Sequence, residues 1–173
     1  KMPEPVLFPA EDSMKKYEWK GGVEDPRIVE SESGEYILTY TSYDGKTARL
    51  CLATSKDLQH WTKHGLVLNS EKYKDIWSKS GAIVAAQRGD KIVAVKINGK
   101  YWMYGGDVNI WAATSDDLVN WNPVLYKEGE KPSIPLRRNA AEIAEFKIVF
   151  GPRGKKFDSD LVEPGPPAML AES

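Results

Sequence analysis

The sequence has 173 residues, which is enough for one ordinary domain with a buried core. Hydrophobic residues make up 41% of it and charged residues 28%, and 24 basic side chains face 25 acidic ones. This composition excludes a disordered chain and gives no electrostatic reason to expect nucleic acid or a membrane as a partner. No apolar stretch is long enough to span a bilayer, and residues 1–13 lack the apolar core of a signal peptide, so we expect a cytoplasmic protein.

Short runs with period-two alternation of Val, Ile, Thr, Tyr and Trp predict strands rather than helices. Gly34, Gly45 and Gly99 punctuate these runs at positions where a turn needs a positive φ. Cys51 lies inside one run and is predicted to be a packing residue. The predicted strands are 35–43, 48–55, 90–97, 100–106 and 109–115. The fold class is therefore all-β.

An internal repeat organises these strands. ATSKDLQHW (53–61) and ATSDDLVNW (113–121) align without a gap at a shift of 60 residues. Several strands in a unit of this length are typical of the four-stranded blades of a β-propeller. We predict one partial propeller domain over residues 1–173. Its blade repeats are 23–76 and 77–127, a third begins within 157–173, and the inner strands are 23–29, 79–86 and 162–170.

The repeated S-x-D-L-x-x-W signature is assigned to the scaffold, because repetition in every blade suits packing better than one active site. Its serines would cap a turn, its leucines would pack between blades and its tryptophans would cover the outer edge.

The length raises a difficulty for this fold. A closed propeller needs at least four blades, whereas 173 residues hold fewer than three repeats of about 60. We therefore expect this chain to be part of a longer propeller. Alone it would leave blade edges uncovered, and such edges associate, so a homo-oligomer is left open.

Three segments carry a family resemblance: GGVEDPRIV (21–29), WSKSGAIV (77–84) and FDSDLVEPGPPAML (157–170). With the repeats they resemble glycoside hydrolase family 130, the β-mannoside phosphorylases and related β-mannosidases. The resemblance implies a five-bladed β-propeller, of which this chain covers roughly two and a half blades. It also implies inverting phosphorolysis of a terminal β-mannosidic bond to α-mannose 1-phosphate, with inverting hydrolysis as the alternative. Inorganic phosphate is then a co-substrate, the partner is a β-mannoside oligosaccharide, and no cofactor or metal is expected.

The candidate site residues lie on the predicted inner strands, whose equivalent ends converge at one end of a propeller channel. The resemblance makes Asp25 of the EDPR motif the proton donor; a cap for the turn before Pro26 is the alternative. Arg27 would orient Asp25 or bind substrate, unless it only pairs with Glu24.

Sugar and phosphate contacts complete this interpretation. Glu24, Asp160 and Glu163 are candidates to hold mannose hydroxyls, and in a hydrolase Asp160 and Glu163 would help to activate water. Arg49 and Lys79 are the candidate phosphate clamp, although each is equally well explained as a solvated charge. A carbohydrate-binding propeller without catalysis and a protein-binding scaffold are the rival functions.

Overall fold

The computed structural model describes residues 4–134, 136 and 141–171, which form an all-β fold with a single helical turn. Helix α1 is Lys15–Glu18. The strands are β1 Gly22–Glu30, β2 Tyr36–Tyr43, β3 Ala48–Ser55, β4 Thr62–Leu66, β5 Ala82–Arg88, β6 Lys91–Ala94, β7 Lys96–Ile97, β8 Lys100–Gly105, β9 Ile110–Ser115, β10 Trp121–Pro123, β11 Ile148–Phe150 and β12 Ala168–Met169. Within these ranges no helix is long and apolar enough to cross a membrane.

The first four strands form an antiparallel meander in chain order. β1 pairs with β2, β2 with β3 and β3 with β4. Cys51 and the rest of β3 are buried throughout, because this strand has a neighbour on each side and packs on both faces. The predicted strands 35–43 and 48–55 are confirmed, as is the packing role of Cys51.

A second meander repeats this order with one insertion. β5 pairs with β8, β8 with β9 and β9 with β10, all antiparallel. The β6 hairpin strand and the short β7 come between β5 and β8 in the chain, and Val93 of β6 bridges to Glu30 of β1. The predicted strands 100–106 and 109–115 are thus confirmed, whereas 90–97 is divided between β6 and β7.

The third predicted inner strand, 162–170, is strand only at Ala168–Met169, which pair in parallel with β5. The physical reason is the sequence that precedes β12. Pro164, Pro166 and Pro167 have no N–H to donate to a ladder.

Two apolar clusters lie on opposite faces of β2 and β3. The larger joins the two meanders through Ile37, Leu50, Met103 and Trp111, and the smaller packs Met14 of the N-terminal segment against Tyr40 and Cys51. β2 and β3 are therefore held from both sides.

The repeated signature forms the same turn in both meanders. The hydroxyl of Ser55 accepts the backbone N–H of Leu58, and that of Ser115 accepts the N–H of Leu118, at 2.9 Å in each case. Leu118 is 3% exposed but Leu58 is 40% exposed, so the predicted inward packing is seen in the second turn and not in the first.

Candidate active site

A β-bulge in β1 positions Asp25. Glu24 pairs with Thr41 and Arg27 pairs with Thr39, so Asp25 and Pro26 together oppose the single residue Tyr40. Pro26 has no N–H to donate, and Asp25 takes a positive φ of 52°, which few residues other than glycine adopt. Bulges of this kind re-aim side chains, and they are common beside active sites.

The side chains of three distant segments meet at this bulge. The Lys79 ammonium lies 3.3 Å from a carboxylate oxygen of Asp25 and 3.1 Å from one of Glu163. Each of the three side chains is partly exposed, so the cluster is open to a ligand. The structure thus brings together Asp25, Lys79 and Glu163, which we call the acid–lysine cluster.

The two carboxylates decide the charge state of the lysine. Burial alone would lower the pKa of Lys79, but ion pairing with Glu163 and Asp25 outweighs it and raises the pKa above the usual lysine value. Lys79 therefore carries a full positive charge at neutral pH.

Arg27 attaches the segment after Glu163 to β1. Its Nε and one Nη donate to the carbonyls of Gly165 and Pro164 at 2.6 and 3.0 Å, and the other Nη donates to the carbonyl of Asp25 at 3.0 Å. The predicted alternative, a pair with Glu24, is not the contact seen. Arg27 instead bonds the backbone on both sides of the cluster.

The two other predicted sugar-binding carboxylates lie apart from these contacts. Glu24 lines a separate depression of about 480 Å³ together with apolar side chains such as Pro26 and Trp61. Asp160 is exposed, three residues before Glu163. A cavity of about 460 Å³ is lined by Glu163, Tyr104 and Phe150, and it gives Glu163 an aromatic neighbourhood.

Arg49 is placed differently from Lys79. Its guanidinium contacts Asp44 at 2.7 Å, Asp75 at 3.0 Å and the carbonyl of Lys74 at 2.9 Å, and it lies over the ring of Tyr17. Burial opposes the charge, yet hydrogen bonds to both aspartates raise the pKa of Arg49. The guanidinium is thus bound by protein groups. Sequence reasoning missed these partners because Asp44 lies five residues before Arg49 and Asp75 lies 26 residues after it, and no recognisable motif connects them.

Two buried polar atoms without a partner lie close in the fold or the sequence to members of the predicted site. Among the described residues, Thr41 Oγ1, Ser80 Oγ and Asp158 Oδ1 are buried without a hydrogen-bond partner. Thr41 lies opposite Glu24 in the sheet, and Ser80 follows Lys79. Such groups are rare in folded proteins.

An aromatic–acid pair beside the cluster was also missed by the sequence analysis. The indole N–H of Trp77 donates to a carboxylate oxygen of Asp107 at 3.3 Å. The available signal was the position of Trp77 two residues before Lys79, but Asp107 is thirty residues away and no pattern connects it.

Comparisons with known proteins identify the family of the chain. The sequence profile of the Glyco_hydro_130 family, described as beta-1,4-mannooligosaccharide phosphorylase, matches residues 1–157. A 1,2-beta-oligomannan phosphorylase from Thermoanaerobacter sp. (strain X514) is 40% identical over 111 residues, which are 60% of this chain and 32% of that protein.

Solved structures extend the likeness over nearly all of the chain. A glycosyl hydrolase from Bacteroides ovatus is 39% identical with a TM-score of 0.84, covering 96% of this chain and 43% of that one. A further structure has 40% identity, a TM-score of 0.84 and the same coverage; it is described with the words "The GH130 family of mannoside phosphorylases contains glycoside hydrolases that target beta-1,2 mannosidic linkages in Candida mannan".

The chain spans less than half the length of each of these relatives. The family profile nevertheless covers most of the chain, including the bulge that carries Asp25 and the segment that carries Lys79. The chain therefore belongs to glycoside hydrolase family 130, whose members are mannoside phosphorylases and glycoside hydrolases.

Proposed function

We propose that the full-length protein cleaves a terminal β-mannosidic bond with inversion, that Asp25 is the proton donor, and that inorganic phosphate is the acceptor. The observation that carries this proposal is the acid–lysine cluster at the β1 bulge. It offers one carboxyl group aimed by an irregular backbone, one cation and one further carboxylate within a few ångströms of each other.

In this mechanism the glycosidic oxygen takes a proton from the Asp25 carboxyl group as the bond to the anomeric carbon breaks. Phosphate attacks that carbon from the opposite face and gives α-mannose 1-phosphate. Lys79 is the cation of the cluster that would contact the incoming phosphate, since its ammonium already lies beside Asp25 and Glu163.

The composition of the cluster suits phosphate as the acceptor. Phosphate is already charged and needs no base, but it needs a cation to bind it. Lys79 supplies a cation beside Asp25 and Glu163.

Hydrolysis is a second candidate because of Arg49. Of the two predicted phosphate-binding residues, Arg49 is bound to Asp44 and Asp75, whereas Lys79 lies in the acid–lysine cluster. A structural relative at 40% identity is described in connection with glycoside hydrolases. In this case Asp160 and Glu163 would be the candidates to activate water.

One experiment separates these reactions. The full-length protein is incubated with β-1,2- and β-1,4-mannobiose with and without phosphate, and mannose 1-phosphate and its anomeric form are followed by NMR. Phosphorolysis predicts α-mannose 1-phosphate and negligible cleavage without phosphate. Equal cleavage without phosphate would establish hydrolysis instead.

The proton donor is tested in the same assay. Asp25→Asn retains the shape of the side chain but cannot donate the proton, and we expect a loss of turnover of at least about 100-fold with mannobiose bound normally. Asp116→Asn is the matched control, because Asp116 is exposed and pairs only with Lys100 in the contacts described. If Asp25→Asn retains near-normal turnover, the assignment is wrong; binding without any cleavage by the wild type would favour a carbohydrate-binding propeller.

A further inference from the structure

Trp77 presents an indole ring at the surface next to the acid–lysine cluster. The side chain is 36% exposed, although tryptophan usually contributes most of its area to a core. Its ring packs edge-on against Tyr43, with 6.3 Å between ring centroids and 65° between planes, and its N–H bonds to Asp107. Two sides of the indole are thus fixed while part of its surface faces solvent.

Backbone hydrogen bonds attach this pair to the cluster. The N–H of Gly106, next to Asp107, donates to the carbonyl of Lys79 at 2.8 Å. The N–H of Val108, on the other side of Asp107, donates at 2.8 Å to the carbonyl of Val162, the residue before Glu163. Asp107 therefore lies between the chain segments that carry Lys79 and Glu163.

Tyr43 connects the same pair to the strand that carries Asp25. In the sheet register Tyr43 pairs with Gly22, three residues before Asp25. A Cβ atom on Gly21 would overlap the Tyr43 ring, so the ring is packed directly on the start of β1. Trp77 and Asp107 consequently lie at the same end of the fold as the acid–lysine cluster.

The loop that carries Asp107 has a costly backbone. Val108 is a buried β-branched residue with a φ of 65°, a conformation that is strongly disfavoured for this side chain. Strain of this kind persists only where the surroundings enforce it, and it is concentrated at binding and catalytic sites. Here the hydrogen bonds of Gly106 and Val108 enforce it, and they place Asp107 beside Trp77.

We infer that Trp77 and Asp107 form a sugar-binding subsite, which holds a pyranose ring of the oligosaccharide beside the acid–lysine cluster. An aromatic face packs against the C–H face of a sugar ring, and a carboxylate accepts its hydroxyl groups, so the pair offers both halves of the recognition. The inference rests on the proposed function, because it names residues that recognise the same substrate.

The test measures binding without turnover. In the full-length Asp25→Asn protein, isothermal titration calorimetry gives the Kd of β-1,2-mannobiose and β-1,2-mannotriose for three further variants. We expect Trp77→Ala to weaken binding about tenfold, Trp77→Phe to restore part of the loss, and Asp107→Asn to weaken binding about fivefold. Trp102→Ala is the control, since the Trp102 indole donates to the carbonyl of Ile97 in the β7–β8 hairpin, and we expect a change below about twofold.

The outcomes are distinguishable. If the Asp25→Asn parent binds mannoside and the Kd is unchanged in Trp77→Ala and Asp107→Asn, the subsite is overturned and the proposed function stands. A loss of melting temperature without a change in Kd also overturns it, because a packing residue would behave in this way. If Trp77→Ala does not fold, Trp77→Phe and Asp107→Asn decide. A parent that binds no mannoside overturns both proposals.

Discussion

Replacement of Arg49 is the most informative perturbation, because phosphate clamping and scaffold bonding predict opposite results. The guanidinium side chain is 8% exposed and pairs with Asp44, whose side chain is 20% exposed, and with Asp75, whose side chain is 70% exposed. Breaking a buried ion pair costs about 3–5 kcal/mol, while pairs with an exposed partner contribute little. Because only one of the two partners is well buried, we expect Arg49→Ala to lower the free energy of unfolding by about 2–4 kcal/mol.

The assay is urea unfolding of the full-length protein followed by tryptophan fluorescence, together with the KM for phosphate at 25 °C. Arg49→Lys retains the charge but not the planar fork, so we expect a smaller destabilisation than for alanine. Lys100→Ala removes an exposed pair with Asp116 and should cost less than about 1 kcal/mol. A stable Arg49→Ala protein with a strongly raised KM for phosphate would refute the scaffold role and restore the predicted clamp.

Three smaller perturbations test the packing. Burial raises the pKa of Cys51 to about 12, so at pH 8 roughly one thiol in ten thousand is ionised. We therefore expect this thiol to react with DTNB only when the protein unfolds. Rapid reaction of the native protein would contradict this. Gly21→Ala should destabilise the fold by about 1–3 kcal/mol because its Cβ would lie 2.5 Å from the Tyr43 carbonyl oxygen, whereas Gly165→Ala has open space and serves as the control in the same melts. Ser115→Ala removes the acceptor for Leu118 and should cost about 1 kcal/mol, more than Ser55→Ala; an equal loss would show that the burial of Leu118 is irrelevant.

The longer strands could be predicted because the sequence of each contains its own alternating signal. The run 48–55 alternates and is bounded by turn residues, and β3 is Ala48–Ser55 as predicted. The pairing of β6 with β1 could not be predicted, since Glu30 and Val93 pair across more than sixty residues without a local pattern. Pairing of this kind depends on tertiary packing, on which a single run of residues carries no information.

Part of the site could be predicted because the equivalent ends of the predicted inner strands were expected to meet at one end of the fold. Asp25, Lys79 and Glu163 were proposed separately from three segments, and the structure places Lys79 in contact with both carboxylates. Arg49 shows what the position of a residue in a strand does not reveal. Its place at a strand start suggested a ligand contact, and in the structure two aspartates from different loops bind its guanidinium. Phosphate binding by Arg49 stays a prediction.

Arg27 explains how an irregular segment can still be held at the site. Between Glu163 and β12 three of the four residues are prolines, and therefore only Gly165 has an N–H to offer a neighbouring strand. Arg27 attaches the segment through its carbonyls instead. It donates from β1 to the carbonyls of Pro164 and Gly165, and it also donates to the carbonyl of Asp25 at the bulge. One side chain thus connects the segments that carry Asp25 and Glu163, whose carboxylates Lys79 bridges. We therefore propose that Arg27 is a positioning residue for the acid–lysine cluster.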